Sequence, residues 1–231
     1  MLILSDGSQR GLEPKPGSVE VKWFNNYSGV IIKAPNVVFV IDPCGGVLDD
    51  FRDVDAVLIT HEHYDHFDET IVKDIFSVTK CMVIADPTTY GSLVNVIPKE
   101  KLIKANIGDQ IKIGGSQIYV VPSYHPAATT PVTYMIVCEN GVTIYHTSDS
   151  LPFAEMADIG QKFKPDLAFC TIGIAPGASP RSGADIAKLV QPKVAVPYHG
   201  SRFIEFAEIL ANEAHQIRCV LLEINKPYRY P

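Results

Sequence analysis

The chain has 231 residues, 46% hydrophobic and 20% charged, with a formal net charge of −6. That balance supports a sizeable buried core. It excludes the basic footprint of a nucleic-acid-binding surface, and no apolar run reaches the length of a membrane span.

Residues 1–18 are rich in Gly, Pro and Ser and read as a tail or covering arm ahead of a single domain over 19–231. The segment Met1 to Gly11 lacks the basic start and apolar stretch of a secretory signal, which predicts a cytoplasmic protein. Strands are expected at Val19 to Phe24, Gly29 to Lys33 and Val37 to Ile41. The last ends at Asp42-Pro43. A carboxylate there can accept the free ring N–H of a metal-bound histidine, or it can simply cap a turn.

The apolar run Val54 to Thr60 reads as a buried strand. It leads into His61-Glu62-His63-Tyr64-Asp65-His66, and apolar residues at Phe67, Ile71 and Ile75 then predict a helix. Imidazole and carboxylate are the usual ligands of zinc and similar divalent ions. Their concentration on one strand-to-helix turn predicts a metal centre. His61 and His63 stand close enough to share an ion, and Asp65 and His66 point towards a second. Each ion is still short of ligands, because zinc takes about four.

Further along, Cys81 to Ala85 reads as a strand and Thr88 to Ile97 as a short helix. Lys101 to Val121 turns to strands, punctuated by Gly108-Asp109 and Gly114-Gly115. His125 follows the strand Ile118 to Val121. Tyr134 to Cys138 and Val142 to Thr147 flank Asn140-Gly141, a hairpin signal, and Asp149 follows the second arm. A helix over Phe153 to Phe163 and a strand over Asp166 to Ile172 come next. Ser182-Gly183-Ala184-Asp185 is expected to cap a helix running to Val190. Lys193 to Tyr198 is a strand that delivers His199. Ser201 is expected to cap a helix with Phe203, Phe206, Leu210 and Ala214 on one face, and Arg218 to Ile224 to close the chain as a strand. His125, Asp149 and His199 thus all fall at strand ends and supply the missing ligands. Strand alternation sends His146 to the other face from Asp149, as a core or supporting residue. His215 ends a helix and is read as structural. Cys81, Cys138, Cys170 and Cys219 lie in apolar runs and read as core thiols, and Cys44 as a turn residue.

This pattern resembles the metallo-β-lactamase-fold superfamily, whose signature is HxHxDH after a strand, then a distant His, an Asp and a final His. The stretches IDP, IYHTSDS, KPDLAFCTIG and QPKVAVPYHG resemble its small single-domain hydrolases, the ascorbate-6-phosphate lactonase-like proteins among them. The resemblance implies an α/β fold, a four-layered αββα sandwich with the metals at one edge of the two sheets. It implies that His61, His63 and His125 hold one ion, that Asp65, His66 and His199 hold the other, and that Asp149 bridges them. Asp65 and Asp149 are then the catalytic carboxylates. Ser148-Asp149-Ser150 stands where the family usually has Gly-Asp-Thr, and Asn25-Asn26-Tyr27-Ser28-Gly29 where relatives often carry a Gly-His pair.

The expected activity is hydrolysis of a small-molecule ester, lactone or phosphoester by a hydroxide bridging two divalent ions, zinc first, manganese or iron next. Arg181 and Arg202 are candidate contacts for an anionic substrate group. No nucleic-acid or membrane partner is expected, and a homo-oligomer is compatible with the chain. The competing readings are an iron-dependent oxidoreductase acting in persulfide or oxygen chemistry on the same fold, and a non-enzymatic metal-binding protein. Relatives of the flavodiiron type place Glu where this chain has His63, which weighs against the first of these.

Overall fold

A computed structural model describes residues 17–231. The expected tail over 1–18 therefore lies almost wholly outside the described residues. In chain order the first strands are Val19–Trp23 (β1), Val30–Lys33 (β2), Val38–Ile41 (β3), Ala56–Ile59 (β4), Met82–Ala85 (β5) and Leu102–Lys104 (β6). Gln110–Ile113 (β7), Ser116–Pro122 (β8), Val132–Val137 (β9), Thr143–His146 (β10), Leu167–Thr171 (β11), Val194–Tyr198 (β12), Arg218–Cys219 (β13) and Tyr228–Tyr230 (β14) follow. The helices are Glu69–Thr79 (α1), Pro87–Leu93 (α2), Met156–Phe163 (α3), Pro180–Val190 (α4) and Phe203–Glu213 (α5).

The strands form two seven-stranded sheets, ordered β14-β1-β2-β3-β4-β5-β6 and β13-β12-β11-β10-β9-β8-β7. Their facing sides meet in one core that includes Phe39, Ile41, Leu58, Ile118, Tyr134, Ile144, Phe169 and Tyr198. A second core packs Val72 and Ile75 of α1 and Leu93 of α2 on the outside of the first sheet. A third packs Met156 of α3, Ile186 and Val190 of α4, and Phe206 and Leu210 of α5 on the outside of the second. The result is the αββα sandwich. It explains the unbroken apolar runs: β4 (AVLI) and β12 (VAVPY) are buried at every residue because both faces are covered. β1 lies nearer the sheet edge and alternates buried with half-buried residues.

Strand direction brings the site together. β3, β4 and β5 run parallel, as do β10, β11 and β12. β8 and β10 both pair antiparallel with β9 and so point the same way. The carboxyl ends of β3, β4, β8, β10 and β12 therefore share one edge of the sandwich, where open α/β folds bind ligands.

Three local expectations are corrected. Helix α4 starts earlier than Ser182: Ser179 is its N-cap and Ser182 completes the capping box, with Pro180 in the first turn. Pro favours that turn because its missing N–H would have no partner there. Helix α5 is preceded by Arg202 with no side-chain cap, and Ser201 does not serve. The final strand stops at Cys219, and the chain crosses to the first sheet, where Tyr228–Tyr230 pairs antiparallel with β1. A three-residue edge strand between prolines is too short for its alternation to announce it.

Candidate metal centre

The turn after β4 is wound on itself, since the amides of His66 and Phe67 both donate to the His63 carbonyl, at 2.9 and 2.8 Å. Asp68 then caps α1 by accepting from the Thr70 and Ile71 amides. The fold adds His125 from beyond β8, Asp149 from beyond β10 and His199 from the end of β12. Two groups of donor atoms result. His61, His63, His125 and Asp149 form one, and Asp65, His66 and His199 form the other. All seven are the residues expected from the sequence. Asp149 touches both groups: its Oδ2 is 3.9 Å from His61 Nε2 and 3.8 Å from His125 Nε2, and its Oδ1 is 3.1 Å from His66 Nε2 and 2.7 Å from His199 Nδ1. His199 Nε2 lies 3.3 Å from Asp65 Oδ2.

The surroundings decide which ring nitrogen faces inward. His63 Nε2 donates to the Ala127 carbonyl at 3.2 Å, leaving Nδ1 as its lone-pair atom. Thr60 Oγ1 donates to Asp42, so at 3.1 Å it accepts from His61 Nδ1 and leaves His61 Nε2 bare. His61 Nε2 and His125 Nε2 then sit 3.1 and 3.2 Å from His63 Nδ1. The lone pairs of His61 and His63, facing each other at that distance, repel unless a cation lies between them. In the second group His66 Nδ1 donates to Asp42 Oδ2 at 2.7 Å, which turns Nε2 inward. His66 Nε2, Asp149 Oδ1 and both nitrogens of His199 are buried and crowd against one another or Asp65, yet none of these approaches has hydrogen-bond geometry. Buried polar atoms are rarely left so. The donor set and these bare atoms fit divalent cations.

Asp42 is fully buried and holds the second group in place. Its carboxylate accepts from the Thr60 amide at 2.8 Å, from Thr60 Oγ1 at 2.8 Å and from Ser28 Oγ at 3.0 Å, besides His66. Behind it, His146 Nε2 donates to the Ser28 carbonyl at 2.9 Å, so His146 is a buried supporting residue on the facing sheet. Ser148 Oγ meets Thr60 Oγ1 at 2.7 Å, and Tyr198 donates to the Ser148 carbonyl at 3.1 Å. Asp42, Ser148 and His199 all have left-handed backbone, with φ of 48°, 49° and 52°. Non-glycine residues hold that conformation only where their surroundings insist on it.

Electrostatics separate the two groups. Burial drives the His61 pKa far down, and nearby histidines add to it. Burial lowers His125 as well. Burial opposes protonation of His66 too, but Asp149 and Asp42 outweigh it and push the pKa up to about 10. His199 is raised in the same way by Asp149 and Asp65. Asp149 resists ionisation through burial, yet His66 and His199 hold its pKa well below the usual range.

The supporting hydroxyls of Ser28, Thr60 and Ser148 escaped the sequence reading, because hydroxyls at strand ends are common and carry no distinctive spacing. The two candidate arginines part company. Arg181 Nη1 lies 2.6 and 2.7 Å from the carboxylate oxygens of Glu213, so it ties α4 to α5. Arg202 pairs with Glu205 at 3.0 Å and lines a cleft beside His199.

Residues 33–199 match the family model of the beta-lactamase superfamily domain, an interval holding Asp42 and every candidate ligand. The chain is 32% identical over 199 residues to a UPF0173 metal-dependent hydrolase of Pyrobaculum calidifontis, covering 80% of this chain and 85% of that one. Igni18, described as a novel metallo hydrolase from Ignicoccus hospitalis, is similar with a TM-score of 0.80 at 24% identity, over 93% of this chain and 99% of that one. CmlA, a diiron beta-hydroxylase from Streptomyces venezuelae, reaches 0.74 at 12% identity over 95% of this chain and 55% of that one. At those identities the two structures speak for the fold alone. The sequence matches go further: the chain belongs to the beta-lactamase superfamily, among the relatives of the UPF0173 metal-dependent hydrolases.

Proposed function

We propose that this protein hydrolyses a small-molecule ester, lactone or phosphoester with the help of two divalent cations, zinc foremost. The observation that carries the reading is Asp149, whose two oxygens address two separate groups of ligands. His61, His63 and His125 would hold one cation, Asp65, His66 and His199 the other, and Asp149 both. When bound, the pair supplies an acidified water and polarises the substrate oxygen.

The chain does the positioning. Ala127, Thr60 and Asp42 fix the tautomers of His63, His61 and His66, which aims their lone pairs without reorganisation. Asp65 and Asp149 are both held ionised by the neighbouring imidazoles, so they serve as acceptors that orient the attacking water. A full complement of ligands with convergent lone pairs favours catalysis over passive metal storage. No helix among the described residues is long and apolar enough to cross a membrane. The five cysteines are all free, which suits a reducing cytoplasmic setting.

The test is metal analysis of the purified protein together with an activity screen over esters, lactones and phosphodiesters. Two equivalents of zinc and turnover abolished by a chelator are expected. One equivalent at saturation, or turnover indifferent to chelation, would refute the reading.

A further inference from the structure

Beside His199 lies a cleft of about 800 Å³. Its apolar walls include Trp23 at the end of β1, Ile172 and Ile174 after β11, Phe203 at the start of α5, and Leu222 and Ile224 in the C-terminal segment. That volume is in the range that holds a small organic ligand, roughly 300–1,000 Å³.

The cleft and the metal centre share a wall. Gly200, the residue after His199, lines the cleft, and the Ile174 amide donates to the His199 carbonyl at 2.9 Å. Asn26 lines it as well, next to Tyr27, whose ring centroid is 6.4 Å from that of His199. At the shared wall the backbones touch: a Cβ on Gly200 would come within 2.9 Å of the Gly173 nitrogen. The cleft thus begins one residue from His199, across a wall of closely packed backbone.

The lining states what the occupant is. Ile174 is 44% exposed and Ile224 37% exposed at the cleft. Apolar side chains clustered at a concave surface mark a binding site. The charged residues of the lining are already matched, Arg202 by Glu205 and Glu223 by Lys226. Both pairs are exposed, and neither charge is buried in the apolar wall.

We propose that the cleft holds the apolar acyl arm of a neutral ester substrate whose carbonyl lies at the Asp65–Asp149 cluster. This rests on the hydrolase reading above. Hydrolysis adds the hydroxyl of water to the acyl carbon and breaks its bond to the alcohol oxygen. The remaining proton of the water ends on that oxygen.

Trp23 is the sole tryptophan of the chain, so its emission reports on the cleft directly. Titration of the metal-loaded protein with decanol, which is neutral and cannot be hydrolysed, is expected to shift that emission to saturation. Ile224→Glu, at an exposed position that tolerates charge, is expected to weaken the response at least about tenfold, whereas Val94→Glu, remote on the end of α2, leaves it intact. Across p-nitrophenyl alkanoates, kcat/KM should rise about fourfold for each methylene buried, and the slope should flatten in Ile224→Glu. Decanol binding that is lost in Ile224→Glu supports the site even if no alkanoate is turned over, a result that counts against the hydrolase reading alone. Turnover without chain-length dependence, together with an unresponsive Trp23, overturns the cleft and leaves that reading standing. If Ile224→Glu turns a dimer into a monomer in sedimentation while decanol binding persists, the cleft is an interface between two copies, and the proposal falls.

Discussion

His66 Nδ1 sits 2.7 Å from Asp42 Oδ2, with both side chains fully buried. A carboxylate so placed fixes the imidazole tautomer and raises its basicity. Asp42→Asn keeps the shape and removes the charge. It is expected to weaken metal binding or turnover by about 10–100-fold. If Asp42 only shaped its turn, the thermal midpoint would fall while affinity and rate stayed normal. Measuring all three on one variant separates the cases.

Asp149→Ala takes a ligand from both groups at once. Metal content should drop and turnover vanish, while the far-ultraviolet spectrum stays that of the folded protein. A variant that still binds two metals and works at near-normal rate would remove Asp149 from the bridging role.

The two ligand groups should load with different pH dependence. In the metal-free protein His66 is raised to about 10 and His199 is raised, whereas burial keeps His61 and His125 neutral. At neutral pH a cation entering the Asp65–His66–His199 group must displace a proton from His66. Affinity there should increase with pH, about tenfold per unit for each proton released, until pH passes about 10. No such release is expected from His61 or His125. Calorimetric titrations in buffers of unlike ionisation enthalpy count the protons, and equal release in both binding steps would contradict the assignment.

Gly160 lies where α3 packs on α4, and a Cβ there would meet the Val190 carbonyl oxygen at 2.3 Å. Gly160→Ala forces the helices apart. A loss of about 1–3 kcal/mol is expected in chemical denaturation, with metal affinity unchanged. An unaltered midpoint would show that the helices separate freely.

Much of the site was legible because its ligands obey local rules. His61, His63, Asp65 and His66 announce themselves by crowding, and His125, Asp149 and His199 by following apolar runs. The capping of α4 was misread because Ser182 looked like the first residue of a box and is in fact its second member, with Ser179 the cap. The closing strand was missed because Tyr228–Tyr230 is held by pairing with β1, which is distant in sequence. Ser28 gave no signal at all, since its role depends on Asp42 and His146 arriving from elsewhere.

The chain alone determined which donor atoms exist and that they stand at strand ends. Side-chain type and the periodicity of apolar residues are properties of short stretches, and a strand-to-helix turn is built from its own residues. Only the tertiary structure decided which ring nitrogen of each histidine faces inward and that an apolar cleft abuts His199. Each of these depends on hydrogen-bond partners or walls from remote parts of the chain: Ala127 for His63, Asp42 for His66, and Trp23 beside Ile224 for the cleft. Such partners meet only when two sheets pack face to face, and that packing follows from the apolar area summed over the whole domain.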